Sequence, residues 1–303
     1  MFTFSFTNSQ KGHLSLFSAQ VIYALNYSIA KDIMPKYLHP ISLVFLRIFG
    51  ACILFWGLSF FISSEKQNVS KDDIKKTFWL SLFGVIINQF FFIYGLSITT
   101  PINSAIIMIS NPIIVFLLSL FIFNKNNKVS FQWKHWLGLI SGIAGALTLI
   151  LFKGNFNFGS DTWVGDVMTL LNSASWALFL IYGKDMLQKY HTVAVMKYMF
   201  LWGTIVFFPV AVFFLFHEEW QNIPISIYWA IAFVVLATTF IAYLLNTYGL
   251  KLMSTSVVSM YIYMQPFLAT LFAVMFGKDT ITITKIIAGS FVLLGIYLVN
   301  TKK

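Results

Sequence analysis

Charged residues are scarce in this chain of 303 residues. Asp, Glu, Lys and Arg together make up 10% of it, and only ten side chains are acidic. A soluble domain carries about a quarter charged residues, so a soluble fold is excluded. The single cysteine, Cys52, excludes a disulfide within the chain. Metal-ligand spacings, glycine-rich phosphate loops and nucleophile motifs are also missing, so we expect no metal, no cofactor and no catalytic residue.

Apolar and aromatic residues are abundant instead. Hydrophobic residues make up 58% of the chain, with 34 Phe and 9 Trp among them. The net charge of +10 comes from basic residues in the short connections between apolar runs. Basic residues in such connections orient a chain in a membrane. The apolar composition therefore indicates a membrane protein, and the positive charge is not a nucleic-acid signal, so no nucleic-acid partner is expected.

Ten apolar runs are long enough to cross a bilayer, which takes about 20 residues per helix. Lipid requires every backbone polar group to be satisfied internally, so the runs are predicted to be helices. The sequence thus predicts an all-α, polytopic membrane protein. The ten predicted spans are 14–30, 41–62, 77–97, 103–123, 134–152, 163–183, 193–216, 226–250, 255–276 and 284–300.

The second half of the chain repeats the first. Residues 23–50 align without a gap with residues 176–203, at a constant offset of 153. The polar signature Lys31-Asp32-x3-Lys36-Tyr37 returns as Lys184-Asp185-x3-Lys189-Tyr190. Paired repeats in a membrane protein are typical of transporters with their site between the halves.

A second block, residues 94–125, aligns with residues 248–279 at an offset of 154. We therefore predict two five-helix repeats, covering residues 1–153 and 154–303. Because five is odd, the second repeat enters the membrane the opposite way round from the first. The repeats are thus predicted to be inverted.

The distribution of Lys and Arg predicts the orientation. Thirteen lie on the side that both termini share, and five lie on the other side. The positive-inside rule then places both termini in the cytoplasm. Residues 1–10 contain no Lys or Arg, so a cleavable signal peptide is not expected. The predicted location is the plasma or inner membrane, with multiple passes.

Six short segments resemble a known family. They are residues 23–31, Leu46-Arg47, Asn111-Pro112, Gly165-Asp166, Trp176-Ala177-Leu178 and Gln265-Pro266. In this order they resemble the motifs of the drug/metabolite transporter superfamily, specifically its EamA-type carriers. The resemblance covers almost the whole chain. It implies a bundle of ten helices in two inverted repeats that moves small metabolites across a membrane.

The repeat also identifies equivalent polar positions inside the spans. Polar side chains in spans usually face the bundle or a water-filled cavity. We expect a central cavity between the first, third, fourth, sixth, eighth and ninth spans. The candidate substrate-binding residues are Tyr23, Asn26, Arg47, Gln89, Asn111, Asn172, Trp176, Tyr243, Asn246, Tyr261 and Gln265.

Four of these candidates have structural alternatives. For Trp176 the alternative is an interfacial anchor, and its depth in the sixth span favours the cavity. Asn111 and Gln265 each precede a proline, and their amides are also suited to satisfying the carbonyl that the proline leaves free. Arg47 is a cation inside the second span, which favours a functional role. It is equally suited to snorkelling outward or to holding the carbonyls at a helix end. The sequence leaves these alternatives open.

The lining chemistry favours a small amphipathic substrate such as an amino acid. No acidic residue lies in the middle of a span, so uniport or exchange is favoured over proton coupling. The resemblance favours export by alternating access. An intramembrane enzyme that acts on a lipid or small molecule is the alternative. The expected partners are a small-molecule substrate and the lipid bilayer, and the chain is expected to be a monomer.

Overall fold

All regular elements in the described part of the chain are helices. The computed structural model describes residues 7–63, 68–99, 101–123, 133–151, 163–275 and 283–300, and no strand occurs within them. The all-α prediction is therefore confirmed. The predicted boundary between the repeats, at residues 153 and 154, lies outside the described residues.

Twelve helices are distinguished in the described residues, and five of them (α2, α3, α7, α8 and α9) are long and apolar enough to cross a membrane. This pattern is that of a multi-pass membrane protein. In chain order the helices are α1 (Asn8–Ile33), α2 (Pro40–Ser59), α3 (Lys71–Ile98), α4 (Pro101–Met108), α5 (Ser110–Phe123), α6 (Trp133–Leu151), α7 (Trp163–Lys189), α8 (Thr192–His217), α9 (Ile225–Leu252), α10 (Thr255–Met260), α11 (Met264–Met275) and α12 (Ile283–Asn300).

The fourth and ninth predicted spans are each divided by a proline. Pro112 has no backbone N–H to donate to the residue four positions earlier, and α4 ends at that residue, Met108. Pro266 acts in the same way on Ile262, which lies in a 3-10 turn between α10 and α11. The sequence predicted continuous spans here, whereas the structure has a break one turn before each proline.

Helices α3 and α9 each contain a π-helical segment at an equivalent position. Leu82–Ile86 forms the segment in α3, and Val234–Ile241 forms the one in α9. π-helical turns are rare and often lie at functional sites. Gln89 and Tyr243 follow these segments by two or three residues, at repeat-related positions.

Histidines cap two helices that begin on opposite halves of the chain. His39 Nδ1 accepts a hydrogen bond from the backbone N–H of Ile41 at 3.3 Å, at the start of α2. His191 Nδ1 accepts from Val193 N–H at the same distance at the start of α8. Burial lowers the pKa of His39, an effect that the nearby Glu218 opposes. The lowered pKa favours the neutral ring, whose Nδ1 is free to accept.

The helices pack in pairs that cross between the two halves. α1 packs against α9, α3 against α7, α2 against α8, and α6 against α12. The approach of α3 to α7 depends on glycine. A Cβ atom at Gly165 would lie 2.7 Å from the carbonyl oxygen of Gly95, which is closer than atoms pack. A side chain at this crossing would force the two helices apart.

Candidate functional site

A cavity lies between the two halves, with a volume of about 540 Å³ including the space at its mouth. Its walls come from α1, α2, α3, α4, α7, α9 and α11, together with the 3-10 turn before α11. Fourteen side chains line it: Gln20, Tyr23, Tyr27, Arg47, Asn88, Gln89, Phe92, Met108, Asn172, Trp176, Tyr243, Asn246, Ile262 and Gln265. The surface is therefore a mixture of amides, aromatic rings and one cation.

The structure brings eight of the eleven candidate residues together in this cavity. They come from distant parts of the sequence. The repeat pointed to most of them, the spacing of one helix face pointed to Asn172, and Arg47 was predicted as a cation inside a span. These eight are Tyr23, Arg47, Gln89, Asn172, Trp176, Tyr243, Asn246 and Gln265.

The other three candidates lie away from the cavity lining. Asn111 Nδ2 donates to the carbonyl of Ser173 at 2.7 Å and so links α5 to α7. The Tyr261 hydroxyl lies 2.6 Å from His13 Nδ1. Asn26 is fully buried, and neither atom of its amide has a hydrogen-bond partner among the described residues. A substrate contact by any of the three stays a prediction.

Six lining residues were not among the candidates. Gln20 and Tyr27 lie three residues before and four residues after Tyr23, so the spacing of one helix face would have revealed them. Asn88 precedes Gln89 in sequence, but its counterpart in the second half is Ala242. The repeat therefore gave no signal for it. The remaining three are Phe92, Met108 and Ile262, whose apolar side chains give no polar signal in the sequence.

A hydrogen-bonded chain joins α1 to α11 on one wall of the cavity. The Tyr27 hydroxyl donates to Gln265 Oε1 at 2.9 Å, and Gln265 Nε2 donates to Gln20 Oε1 at 2.7 Å. The Gln265 amide thus forms its hydrogen bonds with side chains of α1, and not with the carbonyl that Pro266 leaves free. A substrate that contacts Gln265 would contact a side chain whose orientation is already fixed.

A second group of hydrogen bonds joins α3, α7 and α9. Asn172 Nδ2 donates to the backbone carbonyl of Asn88 at 2.9 Å. The Tyr243 hydroxyl lies 3.0 Å from both Asn88 Oδ1 and the carbonyl of Gly84. Gly84 belongs to the π-helical segment of α3, where the backbone departs from the regular α-helical pattern. The segment thus contributes directly to the contact between the halves.

Arg47 is the charged residue of the cavity. It is 2% exposed, and neither Nε nor Nη1 has a hydrogen-bond partner among the described residues. These two nitrogens therefore neither snorkel to an interface nor hold helix-end carbonyls. A buried ionised group with unsatisfied donors is costly, so these two nitrogens favour a ligand that can accept hydrogen bonds from them.

Amide atoms from α1, α7 and α9 are also unpartnered among the described residues. They are Gln20 Nε2, Asn172 Oδ1 and Asn246 Oδ1. All three side chains are at most 2% exposed. The cavity thus offers free donors and free acceptors to a ligand. Within the described residues, no group of three or more His, Cys, Asp or Glu side chains is placed to hold a metal ion.

Comparison with known proteins identifies relatives along nearly the full chain. An uncharacterized transporter of Archaeoglobus fulgidus is 27% identical over 299 residues, which are 97% of this chain and 99% of the relative. The uncharacterized transporter YyaM of Bacillus subtilis is 24% identical over 94% of this chain and 92% of its own. A WAT1-related protein of Arabidopsis thaliana is 24% identical over 91% of this chain and 75% of its own.

The fold and the family are shared as well. A solved crystal structure with 17% sequence identity has a TM-score of 0.74 and covers 95% of this chain and 96% of its own, which shows a likeness of fold. The sequence profile of the EamA-like transporter family matches residues 10–151 and again residues 163–301. The chain belongs to the EamA-like transporter family.

Proposed function

We propose that this transporter carries small amphipathic metabolites, amino acids or related compounds, by alternating access around the cavity between its halves. The observation that carries the proposal is the cavity lining. Polar atoms of its buried amides and two guanidinium nitrogens lack hydrogen-bond partners among the described residues, and they lie beside aromatic and aliphatic side chains. Cavities that bind small molecules combine a mostly apolar surface with a few placed polar groups. Membership of the family makes the protein a transporter, and the lining narrows its cargo.

The architecture proposed for this function is ten spans in two inverted repeats, residues 1–153 and 154–303. The packing supports it, because α1 with α9 and α3 with α7 are pairs that the repeat relates to each other. The glycines support it too. A Cβ at Gly249 would clash with Leu16 across α1 and α9, as one at Gly95 would approach Gly165 across α3 and α7. The separate family matches to each half agree with this division.

Alternating access requires that the two ends of the cavity open in turn. One end is held by a polar network. Asp73 accepts from Lys189 Nζ at 2.5 Å, from the Tyr190 hydroxyl at 2.7 Å and from Lys76 Nζ at 2.8 Å. The network joins the start of α3 to the end of α7. Near the repeat-related Lys36 and Tyr37, the position that matches Asp73 is Ile227, so this position offers no carboxylate for an equivalent network at the other end.

The proposed orientation has both termini in the cytoplasm, and the proposed direction is export. The charge bias of thirteen to five supports the orientation. No acidic side chain is among the cavity-lining residues, which supports movement down a substrate gradient or by exchange. These proposals place the Asp73 network at the cytoplasmic end.

Flux in vesicles tests the proposal. Purified protein is reconstituted into liposomes loaded with a mixture of amino acids and related carboxylates, and efflux of each is followed by mass spectrometry. Selective, saturable loss of unmodified compound is the expected result. Recovery of chemically converted compound would favour an intramembrane enzyme, and the absence of flux for the whole panel would contradict the proposal. A Trp176→Ala, Gln265→Ala double variant with normal membrane abundance serves as the control.

A further inference from the structure

The charge of the cavity is unbalanced. Arg47 is the ionised side chain among the lining residues, and none of the described residues that line the cavity with it is acidic. Nε and Nη1 have no hydrogen-bond partner in the described part of the chain, although the residue is 2% exposed. A buried cation without a counter-ion is expensive in a low-dielectric interior, so an anion that enters the cavity is favoured.

The apolar part of the cavity lining limits what kind of anion fits. Phe92, Met108 and Ile262 give the cavity an apolar wall, and Trp176 adds an indole ring that packs edge-on against Tyr243. A small inorganic ion would leave this wall without a partner. An organic anion with an apolar or aromatic body would fill it while pairing with the guanidinium.

We propose that Arg47 is the anion-binding group of the cavity. It binds the carboxylate of a small organic ligand whose apolar body packs on the apolar wall. The proposal rests on the proposed transport function and names its substrate class. The planar guanidinium presents parallel N–H groups on Nε with Nη2 and on Nη1 with Nη2, and either pair matches the two oxygens of a carboxylate. Monocarboxylates and α-amino acids both belong to the class.

Two amide oxygens from α7 and α9 explain why amino acids belong to this class. Asn172 Oδ1 and Asn246 Oδ1 are buried acceptors without donors among the described residues. An ammonium group on the ligand would find acceptors there, but a ligand without one still neutralises Arg47. The carboxylate is therefore the required feature, and the ammonium is optional.

Matched ligands test this requirement. Binding of 3-phenylpropanoate, phenylalanine, 3-phenylpropanamide and phenethylamine is measured by calorimetry with the full-length protein in nanodiscs. We expect the two carboxylates to bind at least about tenfold more tightly than the amide and the amine, because truncating one partner of a buried charge pair is costly. Equal binding of 3-phenylpropanoate and its amide, or no binding of 3-phenylpropanoate at all, would overturn the proposal.

Variants test the residue. Arg47→Met should abolish the preference for carboxylate over amide, and Arg47→Lys should retain part of it because the charge remains but the planar fork is lost. The matched control is Lys197→Met. Lys197 is also a buried cation of a spanning helix, but its Nζ lies 5.0 Å from the Trp56 ring centroid and the residue is not part of the cavity lining. The control should keep the full preference, and retention of that preference in Arg47→Met would overturn the proposal.

Competition experiments distinguish an organic carboxylate from an inorganic ion or a lipid headgroup at this site. Chloride and inorganic phosphate at the probe concentration should not displace 3-phenylpropanoate, and neither should phosphatidylglycerol added to the nanodiscs. Displacement by the ions would mean that the apolar body contributes nothing, and displacement by the lipid would mean that a headgroup occupies the site; either overturns the proposal. Binding is measured without flux, so carboxylate selectivity with no transport in vesicles would contradict the proposed function alone.

Discussion

Lys31 and Lys184, which lie 153 positions apart, make the same contact at the ends of two different helices. Lys31 Nζ donates to the carbonyls of Leu96, Ser97 and Thr99, at 2.8 to 2.9 Å, where α3 ends. Lys184 Nζ donates to the carbonyls of Leu250 and Met253, where α9 ends. The last carbonyls of a helix lack backbone partners and carry partial negative charge, which a cation stabilises.

Removing either lysine should therefore destabilise the bundle to a similar degree. Lys31→Met and Lys184→Met should each cost on the order of 1 kcal/mol, since both leave buried helix-end carbonyls without their cation. The melting temperature of the purified protein in detergent measures the effect. Lys11→Met is the control, because Lys11 is exposed. A large effect in one lysine variant and none in the other would contradict the equivalence of the two contacts.

At the crossing of α3 and α7, replacing Gly165 by alanine should lower the stability of the protein. Gly165→Ala places a methyl group 2.7 Å from the carbonyl oxygen of Gly95, so the helices must separate. Overpacking of this kind costs about 1–3 kcal/mol. Gly57→Ala is the matched control, since a Cβ at Gly57 meets no atom within 4 Å. Melting temperatures of the two variants should differ, with Gly57→Ala equal to or above the parent protein. A Gly165→Ala variant as stable as the parent would refute this packing.

The sequence predicted most of the cavity because the repeat doubled many of the signals. Tyr243 was found through its equivalence to Gln89, and Trp176 through its equivalence to Tyr23. Gln20 lacked such support, since its counterpart Ser173 is a small residue that bonds within the bundle. Met108 and Ile262 are apolar among many apolar residues. Only the folded chain shows that they face the cavity.

The helix breaks were beyond the sequence prediction for a different reason. A proline inside an apolar run is tolerated in membrane helices when neighbouring groups satisfy the freed carbonyls. The hydropathy of the run does not change at the proline, so the fourth and ninth spans were predicted as continuous. The position of the break one turn earlier follows from backbone hydrogen bonding, which Pro112 and Pro266 alter at Met108 and Ile262.

Opening of one end of the bundle should depend on Asp73. Its carboxylate is 5% exposed and accepts from Lys189, Lys76 and Tyr190, so Asp73→Asn removes the charge that holds α3 to α7. The readout is a cysteine introduced at the cavity residue Gln20 in a Cys52→Ser background. We expect a thiol reagent added at that end to label this cysteine faster when Asp73→Asn is present than when Asp73 is intact. Asp72→Asn is the matched control, because Asp72 is 88% exposed and lies 3.9 Å from Lys75. Equal labelling rates in the two variants would contradict the idea that the Asp73 network keeps this end closed.

The orientation is tested by two single cysteines in the Cys52→Ser background. Lys36→Cys and Gln188→Cys both lie at exposed positions, and Gln188 spares the ion pair of Lys189 with Asp73. The proposed inverted repeats, with both termini in the cytoplasm, place the cysteine at position 36 outside the cell and the cysteine at position 188 in the cytoplasm. An impermeant thiol reagent added to intact cells should therefore label Lys36→Cys and leave Gln188→Cys unlabelled until the membrane is permeabilised. Labelling of both cysteines in intact cells would contradict the inverted arrangement.

Transport should not require a proton gradient. Asp166 is a buried acidic residue of α7, but it is not among the cavity-lining residues, and its Oδ1 accepts from the Thr99 hydroxyl at 2.5 Å. In the first turn of α7 a carboxylate is stabilised by the helix dipole, which suits a structural role. A carboxylate that couples transport to protons must exchange them with the substrate pathway.

Flux in proteoliposomes should therefore persist without a pH difference, and an imposed pH difference should not concentrate a zwitterionic substrate. Asp166→Asn keeps the shape of the side chain and removes its charge, so it should lower stability more than it alters the response of flux to pH. The measurement compares initial rates and final accumulation at equal and unequal pH in both proteins. Uphill accumulation driven by pH alone, lost in Asp166→Asn, would show that this buried carboxylate couples transport to protons after all.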